Sequence, residues 1–395
     1  MENLRTPSKD GTSTPASQAE FERDHASLTL GPNWFAAVMG TGIVATAGAT
    51  LPYHVMGLHV FTVVVWLLAL IVLTILLVAF VVHWLRHPGA VARYASDVTL
   101  AQFFGAPPMA MLTVGAGAIL AGHSLIGERA AVNVDWVLWT AGTVTGLVTA
   151  VAVPYLLFTR IEVRHDAAFG GWLMPIVPPM VSAATGGLLI PHVGSATGRA
   201  TLFYGCFAMF GVSLIASFII ITLIWSRLAH FGSSGSVRVP TLWIVLGPLG
   251  QSITAAGILG ANAALAVSSP VAKGFSFFVI AFGVPTWGFA VLWIFLATGL
   301  TVRTARHHLP FHLTWWSFTF PVGTFVTGTT RLALATQLPA FRAASAVAYL
   351  GLLGAWSLVA TLTVRGVISG KLLRLPLSPG RGPEAKKGQL GSLTN

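Results

Sequence analysis

Three histidines crowd the segment "RTARHHLPFH", at His307, His308 and His312, and imidazoles this close together are the residue type a zinc site uses. No Cys, Asp or Glu stands beside them, so the segment reads as a solvated loop and no metal is expected. The single cysteine, Cys206, sits in "TLFYGCFAMFGVSLIASFIIITLIW", which excludes an intramolecular disulfide and leaves it a packing residue. A phosphate-binding glycine loop, an HExxH pair and a dinucleotide fingerprint are all missing from any fitting context, so no cofactor is expected. The residues that remain lie in "TWWSFTFPVGTFVTGTTRLA", Thr314 to Ala333. It is apolar enough to cross a bilayer, yet it carries Phe320, Pro321, several threonines and Arg331. A cation inside such a run either draws anions or reaches out to lipid headgroups. An aromatic ring beside a proline can close a narrow constriction.

The elements that must position these groups follow from composition. Of 395 residues, 55% are hydrophobic and 8% charged, which marks an all-α polytopic membrane protein. The net charge of +11 belongs to loops and tails and reflects topology, not affinity for nucleic acid. Residues 1–30 are polar, carry both charge signs and lack the apolar run of a signal peptide, so they read as a disordered cytoplasmic tail. At roughly 20 residues per crossing, ten spans are predicted, at 32–50, 58–84, 101–123, 135–158, 171–191, 200–226, 239–267, 273–300, 312–337 and 343–367.

Loops after even spans hold Arg86, Arg93, Arg160, Arg164, Arg227, Arg238, Arg303 and Arg306, against Arg129, Arg199, Lys273 and Arg342 after odd ones. That bias places the even loops and both tails in the cytoplasm. The basic stretch 371–395, with Lys371, Arg374, Arg381, Lys386 and Lys387, agrees.

Even spans are continuous and branched, as lipid-facing helices are. Odd spans are interrupted at Gly40 and Gly42, Pro107, Pro178, Pro248 and Pro321, at an interval of about 70 residues that marks an internal repeat of helical hairpins. Five hairpins predict a ring, with the continuous helices outside. Proline within a helix leaves a carbonyl without its partner, and such defects persist in a membrane where they are buried or face water. The five breaks therefore predict a central pathway. Asp97, Glu128, Asp135, Glu162 and Asp166 all fall at span ends or in loops; without a carboxylate in a span centre, cation transport and proton coupling are disfavoured. Threonine hydroxyls and free backbone N–H groups suit an anion. Phe320, at the kink and facing the inferred axis, is the candidate gate.

"NWFAAVMGTGIVA" in the first span and "WWSFTFPVGTFVTGTTRLA" in the ninth resemble the tellurite-resistance/dicarboxylate transporter family, which includes the yeast malate permease and sulfite efflux pump and the plant slow-type anion channels. The resemblance covers residues 31–370. It implies five hairpins around a pore, a homotrimer with one pore per protomer in the plasma membrane, and the family's gating phenylalanine at Phe320. It implies a small anion as the substrate but does not transfer which one; C4-dicarboxylates such as malate lead by family naming, with sulfite, tellurite, chloride and nitrate as alternatives. Kinase control through the short N-terminal tail is not implied. A membrane-embedded enzyme is the alternative of another class, and it would need titratable groups clustered at one membrane face, where the His307–His312 segment comes nearest.

Overall fold

The computed structural model describes residues 30–372 except His54, Pro88, Val98, Ile161, Glu162 and Ser234, and omits the side chains of Ala90 and Arg93. The N-terminal tail up to Thr29, Glu162 and the basic residues Arg374, Arg381, Lys386 and Lys387 lie outside the described residues, as does the side chain of Arg93. Leu30–Leu362 form one compact body. From Thr363 the chain belongs to a second unit, whose described part turns back so that the Leu372 N–H donates to the Gly366 carbonyl at 3.2 Å.

Every regular element described is helical. The long elements are α1 (Phe35–Thr50), α2 (Leu58–Arg86), α3 (Ala106–Gly117), α4 (Glu128–Thr159), α5 (Pro178–Leu189), α6 (Ala196–Phe231), α7 (Leu246–Ala266), α8 (Ser269–Ala305), α9 (Phe320–Thr336) and α10 (Pro339–Ile368). Seven helical stretches are long and apolar enough to cross a membrane. The three others, α1, α5 and α9, are shorter, with 16, 12 and 17 residues.

Each odd-numbered helix begins with a tighter 3₁₀ segment, at Pro32–Trp34, Ala101–Gly105, Gly170–Leu173, Val239–Val245 and Leu313–Phe318. The prolines stand where these segments hand over to α-helix: Pro107, Pro178 and Pro321 occupy the first two α-helical positions, and Pro248 the third residue of α7. Proline is favourable there, since the first-turn N–H groups have no intrahelical partner to lose. This corrects the expectation of mid-helix kinks that orphan a carbonyl. Gly40 and Gly42 need a further correction, because α1 runs unbroken from Phe35 to Thr50. They serve close packing. A Cβ on Gly40 would collide with Thr319 Oγ1 and Trp316, and one on Gly42 would come 2.9 Å from the Thr113 methyl.

The odd helices close a ring, α1 against α3, α3 against α5, α5 against α7, α7 against α9 and α9 against α1. Closeness depends on glycine at the α7–α9 crossing, where a Cβ on Gly250 would stand 2.5 Å from the Phe325 backbone nitrogen. The even helices α2, α4, α6 and α8 each pack against the odd helix before and the odd helix after them. In the ring stretches Ala101–Ile126 and Val239–Ala266, 67% and 94% of the most apolar window is buried, against 22–33% in the five remaining candidate spans. The even helices thus carry the lipid-facing surface, with Phe158, Phe277, Phe295 and Leu350 among its exposed side chains.

Even helices hold the ring through indole N–H groups that donate inward. Trp66 donates to the Val114 carbonyl (3.0 Å), Trp139 to that of Ser182 (2.9 Å), and Trp287 and Trp356 to the hydroxyls of Thr329 (3.0 Å) and Thr41 (3.1 Å). Trp66 fills the space beside Gly117 and Gly122, where the helix widens into a π turn over Ala118–Gly122. Cys206 is buried against the Ser182 carbonyl and Gly186.

Asp135 departs from expectation. It lies two turns inside α4, fully buried against Gly115, and neither carboxyl oxygen has a hydrogen-bond partner among the described residues. A carboxyl therefore does sit within the body of a span, because α4 starts at Glu128, about two helical turns before the predicted boundary.

Candidate functional site

Two cavities lie along the axis of the ring, and each is walled by all five of its repeats. The first is a narrow space of about 20 Å³ beside the 3₁₀ segments, lined by Met39, Met109, Met174, Ile244 and Trp316, among others. Its wall is almost wholly apolar. The second, of about 40 Å³, lies on the far side and is lined by threonine from every odd helix: Thr46, Thr113, Thr185, Thr254 and Thr327. Phe320 lines both, and it is the one residue they share. Its ring is 2% exposed, so the two spaces are separated at that side chain.

The local sequence accounts for this placement. Phe320 is the first residue of α9, preceded by Thr319, whose backbone (φ −106°, ψ −72°) is bent away from ideal helix. The Thr319 hydroxyl donates to the Trp316 carbonyl at 2.7 Å and its carbonyl accepts from the Gly323 N–H at 2.9 Å. Proline at 321 needs no donor at this position. Among the other break residues, Pro321 lines the first cavity; Gly40, Gly42, Pro107, Pro178 and Pro248 line neither, but shape the ring from within.

The threonine ring is a feature that individual span readings missed. Its members recur with the same interval of about 70 residues as the helix starts, and that shared period was the available signal. Their hydroxyl hydrogens are largely engaged: Thr113 donates to the Met109 carbonyl (2.7 Å), Thr185 to Val181 (2.9 Å) and Thr46 to Ile43 (3.3 Å). Thr254 and Thr327 bond each other at 2.7 Å, each also within 3.0 Å of a backbone carbonyl of its own helix. A threonine hydroxyl can rotate to another acceptor at small cost. As it stands, however, the ring offers mainly oxygen lone pairs, and an anion needs donors.

Donors come from two other side chains. Arg331, two turns and more past Phe320, lines the second cavity and lays its stem along Gly257 of α7, where an added Cβ would meet the arginine Cβ at 2.5 Å and Cγ at 2.7 Å. Among the described residues no carboxylate pairs with it; the one ion pair joins Arg164 and Asp166 in a loop at 3.0 Å. Gln251, also in this wall and 5% exposed, brings an amide NH₂ as the second donor, while its Oε1, an acceptor, has no partner among the described residues. Arg331 is the sole titratable side chain among the described residues of either wall.

His307 and His308 lie elsewhere, in a surface pocket at the end of α8 with Arg303. No group of three or more His, Cys, Asp or Glu side chains that could hold a metal converges among the described residues.

A ring that encloses an apolar mouth, one aromatic barrier and an unpaired arginine is an arrangement for passing an anion. Known proteins agree. Residues 29–364 match the family model described as voltage-dependent anion channel. The sulfite efflux pump SSU1 of Trichophyton rubrum is 28% identical over 349 residues, covering 87% of this chain and 92% of that protein. The corresponding pump of Arthroderma benhamiae is 27% identical with the same coverage. An uncharacterised transporter of Methanocaldococcus jannaschii is 26% identical over 75% of this chain and 81% of its own length. These are membrane transporters and channels, not enzymes, and the resemblance read from the two motifs holds: the chain belongs to the voltage-dependent anion channel family.

Proposed function

We propose that this protein moves small oxyanions, sulfite first among them, along the axis of its ring, with Phe320 as the side chain that closes the path. The observation that carries the reading is that two cavities, each walled by all five repeats, share the single residue Phe320. An anion approaching from the first cavity finds an apolar wall and must shed water. Beyond the ring of Phe320, the Arg331 guanidinium compensates that loss with charge. The ten helices are read as ten crossings in five hairpins, with both ends in the cytoplasm of the cell and three copies assembling, each with its own path.

Sulfite is preferred to malate for a physical reason besides the names of the relatives. A C4-dicarboxylate presents two separated charges, and the described walls hold one cation to receive them. Malate, the leading expectation from family naming, is the competing substrate in the test. The buried carboxyl of Asp135 reopens proton coupling as an alternative to simple electrodiffusion.

The test is flux into vesicles holding the purified protein, with sulfite and malate offered separately and as competitors. Sulfite uptake that malate fails to inhibit supports the assignment. Malate uptake exceeding sulfite uptake reverses it, and absence of either flux from vesicles of confirmed folded protein removes the transport reading.

A further inference from the structure

Outside the ring, a space of about 450 Å³ opens between α8 and α10, with almost no polar surface. Its floor is the outer face of α9 at Val322 and Phe325, together with Phe318 just before that helix. Small residues on α10, Ala348, Gly351 and Ala355, leave the room. The lining on α10 runs from Ala348 to Val359, about 16 Å of helix at 1.5 Å per residue. That is close to half of a hydrocarbon core of about 30 Å, the depth of one leaflet.

At the end of α8 this groove and a polar pocket are lined by residues adjacent in sequence, Thr301 and Leu300, although the two spaces share no lining residue. Leu309 lines the groove and its neighbour His308 lines the pocket, where Arg303 and His307 join it with the hydroxyls of Ser233, Ser236 and Thr304. No Asp or Glu lines either space among the described residues. Among the described residues Arg303 has no ion-pair partner. A basic, hydroxyl-rich pocket beside a leaflet-deep apolar groove has the polarity of one amphipathic molecule laid across the end of α8. Indole groups stand at the junction, Trp243 donating to the Thr301 hydroxyl and Trp315 to the Pro310 carbonyl, each at 3.0 Å, as aromatic side chains do at the headgroup level.

We propose that an anionic phospholipid occupies this site, its phosphate among Arg303, His307 and His308 and one acyl chain between α8 and α10. The chain would rest on Phe318 and Val322, two residues either side of Phe320. Lipid in the groove then bears on the helix start that holds the barrier, and couples membrane composition to flux. This last step rests on the assignment of Phe320 as the barrier; binding of the lipid does not.

The test is native mass spectrometry of the purified full-length protein, equilibrated with equal phosphatidylglycerol and phosphatidylcholine, in parallel with flux in vesicles of either composition. Expected is one retained phosphatidylglycerol per chain in preference to phosphatidylcholine. Arg303→Gln should weaken retention about fivefold, as expected for one cation near an anionic headgroup. Gly351→Leu, whose new side chain meets no atom within 4 Å of the Cβ position, should abolish retention by filling the groove. Ala355→Leu is the second variant if the first fails to fold. Flux in phosphatidylglycerol should differ from flux in phosphatidylcholine for the wild type and not for the filled groove.

Equal retention of both lipids overturns the proposal. So does a glycerol phosphate without acyl chains that competes as well as the lipid, or a loss of oligomer in Gly351→Leu, which would make a second copy the occupant. Selective retention combined with a Phe320→Ala variant of unchanged flux would preserve the lipid site and sink the gate instead.

Discussion

Replacing Arg331 with glutamine removes the one charge in the second cavity and keeps a side chain of similar reach and donor chemistry. Among the described residues no carboxylate neutralises this arginine, so its field acts on whatever enters. For an anion at roughly 5 Å, the interaction is about 1 kcal/mol if water fills the space and about 3 kcal/mol at an effective dielectric near 20. Occupancy, and with it flux at low substrate, should therefore fall by about fourfold at least and about two-hundredfold at most. Arg331→Lys restores the sign of the charge and should recover most of the loss. The assay is the reversal potential under a salt gradient, together with flux, for purified protein in planar bilayers. If Arg331→Gln keeps both wild-type anion preference and wild-type flux, the guanidinium is spent on headgroups and the electrostatic reasoning fails.

Other outcomes follow from the packing and from the walls. Gly250→Val should prevent folding, because a Cβ there would stand 2.5 Å from the Phe325 backbone nitrogen and force α7 and α9 apart; a normal melting profile would contradict the close crossing. Asp135→Asn should leave folding and flux near wild type, since neither oxygen makes a bond that the amide would lose, whereas loss of pH-driven flux would make this carboxyl a proton carrier. Thr254→Val breaks the 2.7 Å bond to Thr327 in the wall and should cost about 1 kcal/mol of stability, read as a lower melting temperature. Flux between about pH 6 and about pH 8 should follow the ionisation of the substrate, as no wall residue titrates there. In the loops, a hydrogen bond from Arg164 holds the Asp166 carboxyl below the usual carboxylate range. Its small, solvent-screened contribution to stability is present above the ordinary carboxylate value and is lost only as pH falls through the lowered one. Flux that changes with pH for an anion of fixed charge would refute the expectation for the walls, and a stability unchanged by Asp166→Asn at low and neutral pH alike would refute the one for this loop.

The hairpin rhythm was legible because its causes are local. Twenty-residue apolar runs, proline and glycine at a period of about 70 residues, and the contrast between branched and small-residue spans all stand in the sequence. Phe320 was singled out by a local pattern, an aromatic residue before proline, but was read at a kink in mid-span, whereas it is the first residue of α9. What proline does at these sites was misread from the same pattern. A proline signals a boundary as readily as a kink, and the 3₁₀ segments that distinguish the two have no strong composition of their own. The burial of Asp135 was hidden because the predicted span began about two helical turns inside the real helix, and polar residues such as Glu128 and Arg129 mark its first turn as loop. The threonine ring required superposing five repeats that share period but little sequence. Arg331 could be found but not oriented, because only the tertiary contact with Gly257 settles which way its stem runs.

The central claim is that one aromatic side chain stands between two halves of a single path. Single-channel or macroscopic current through purified wild-type protein and Phe320→Ala, in planar bilayers with sulfite and chloride gradients, tests it directly. Truncating Phe320 joins the two cavities, so the variant should pass anion current many times larger than the wild type while keeping anion selectivity. Removal of so buried an aromatic ring is expected to lower stability by up to about 3–5 kcal/mol, so folding is checked on the same sample. Folded Phe320→Ala with current no larger than wild type would contradict the claim.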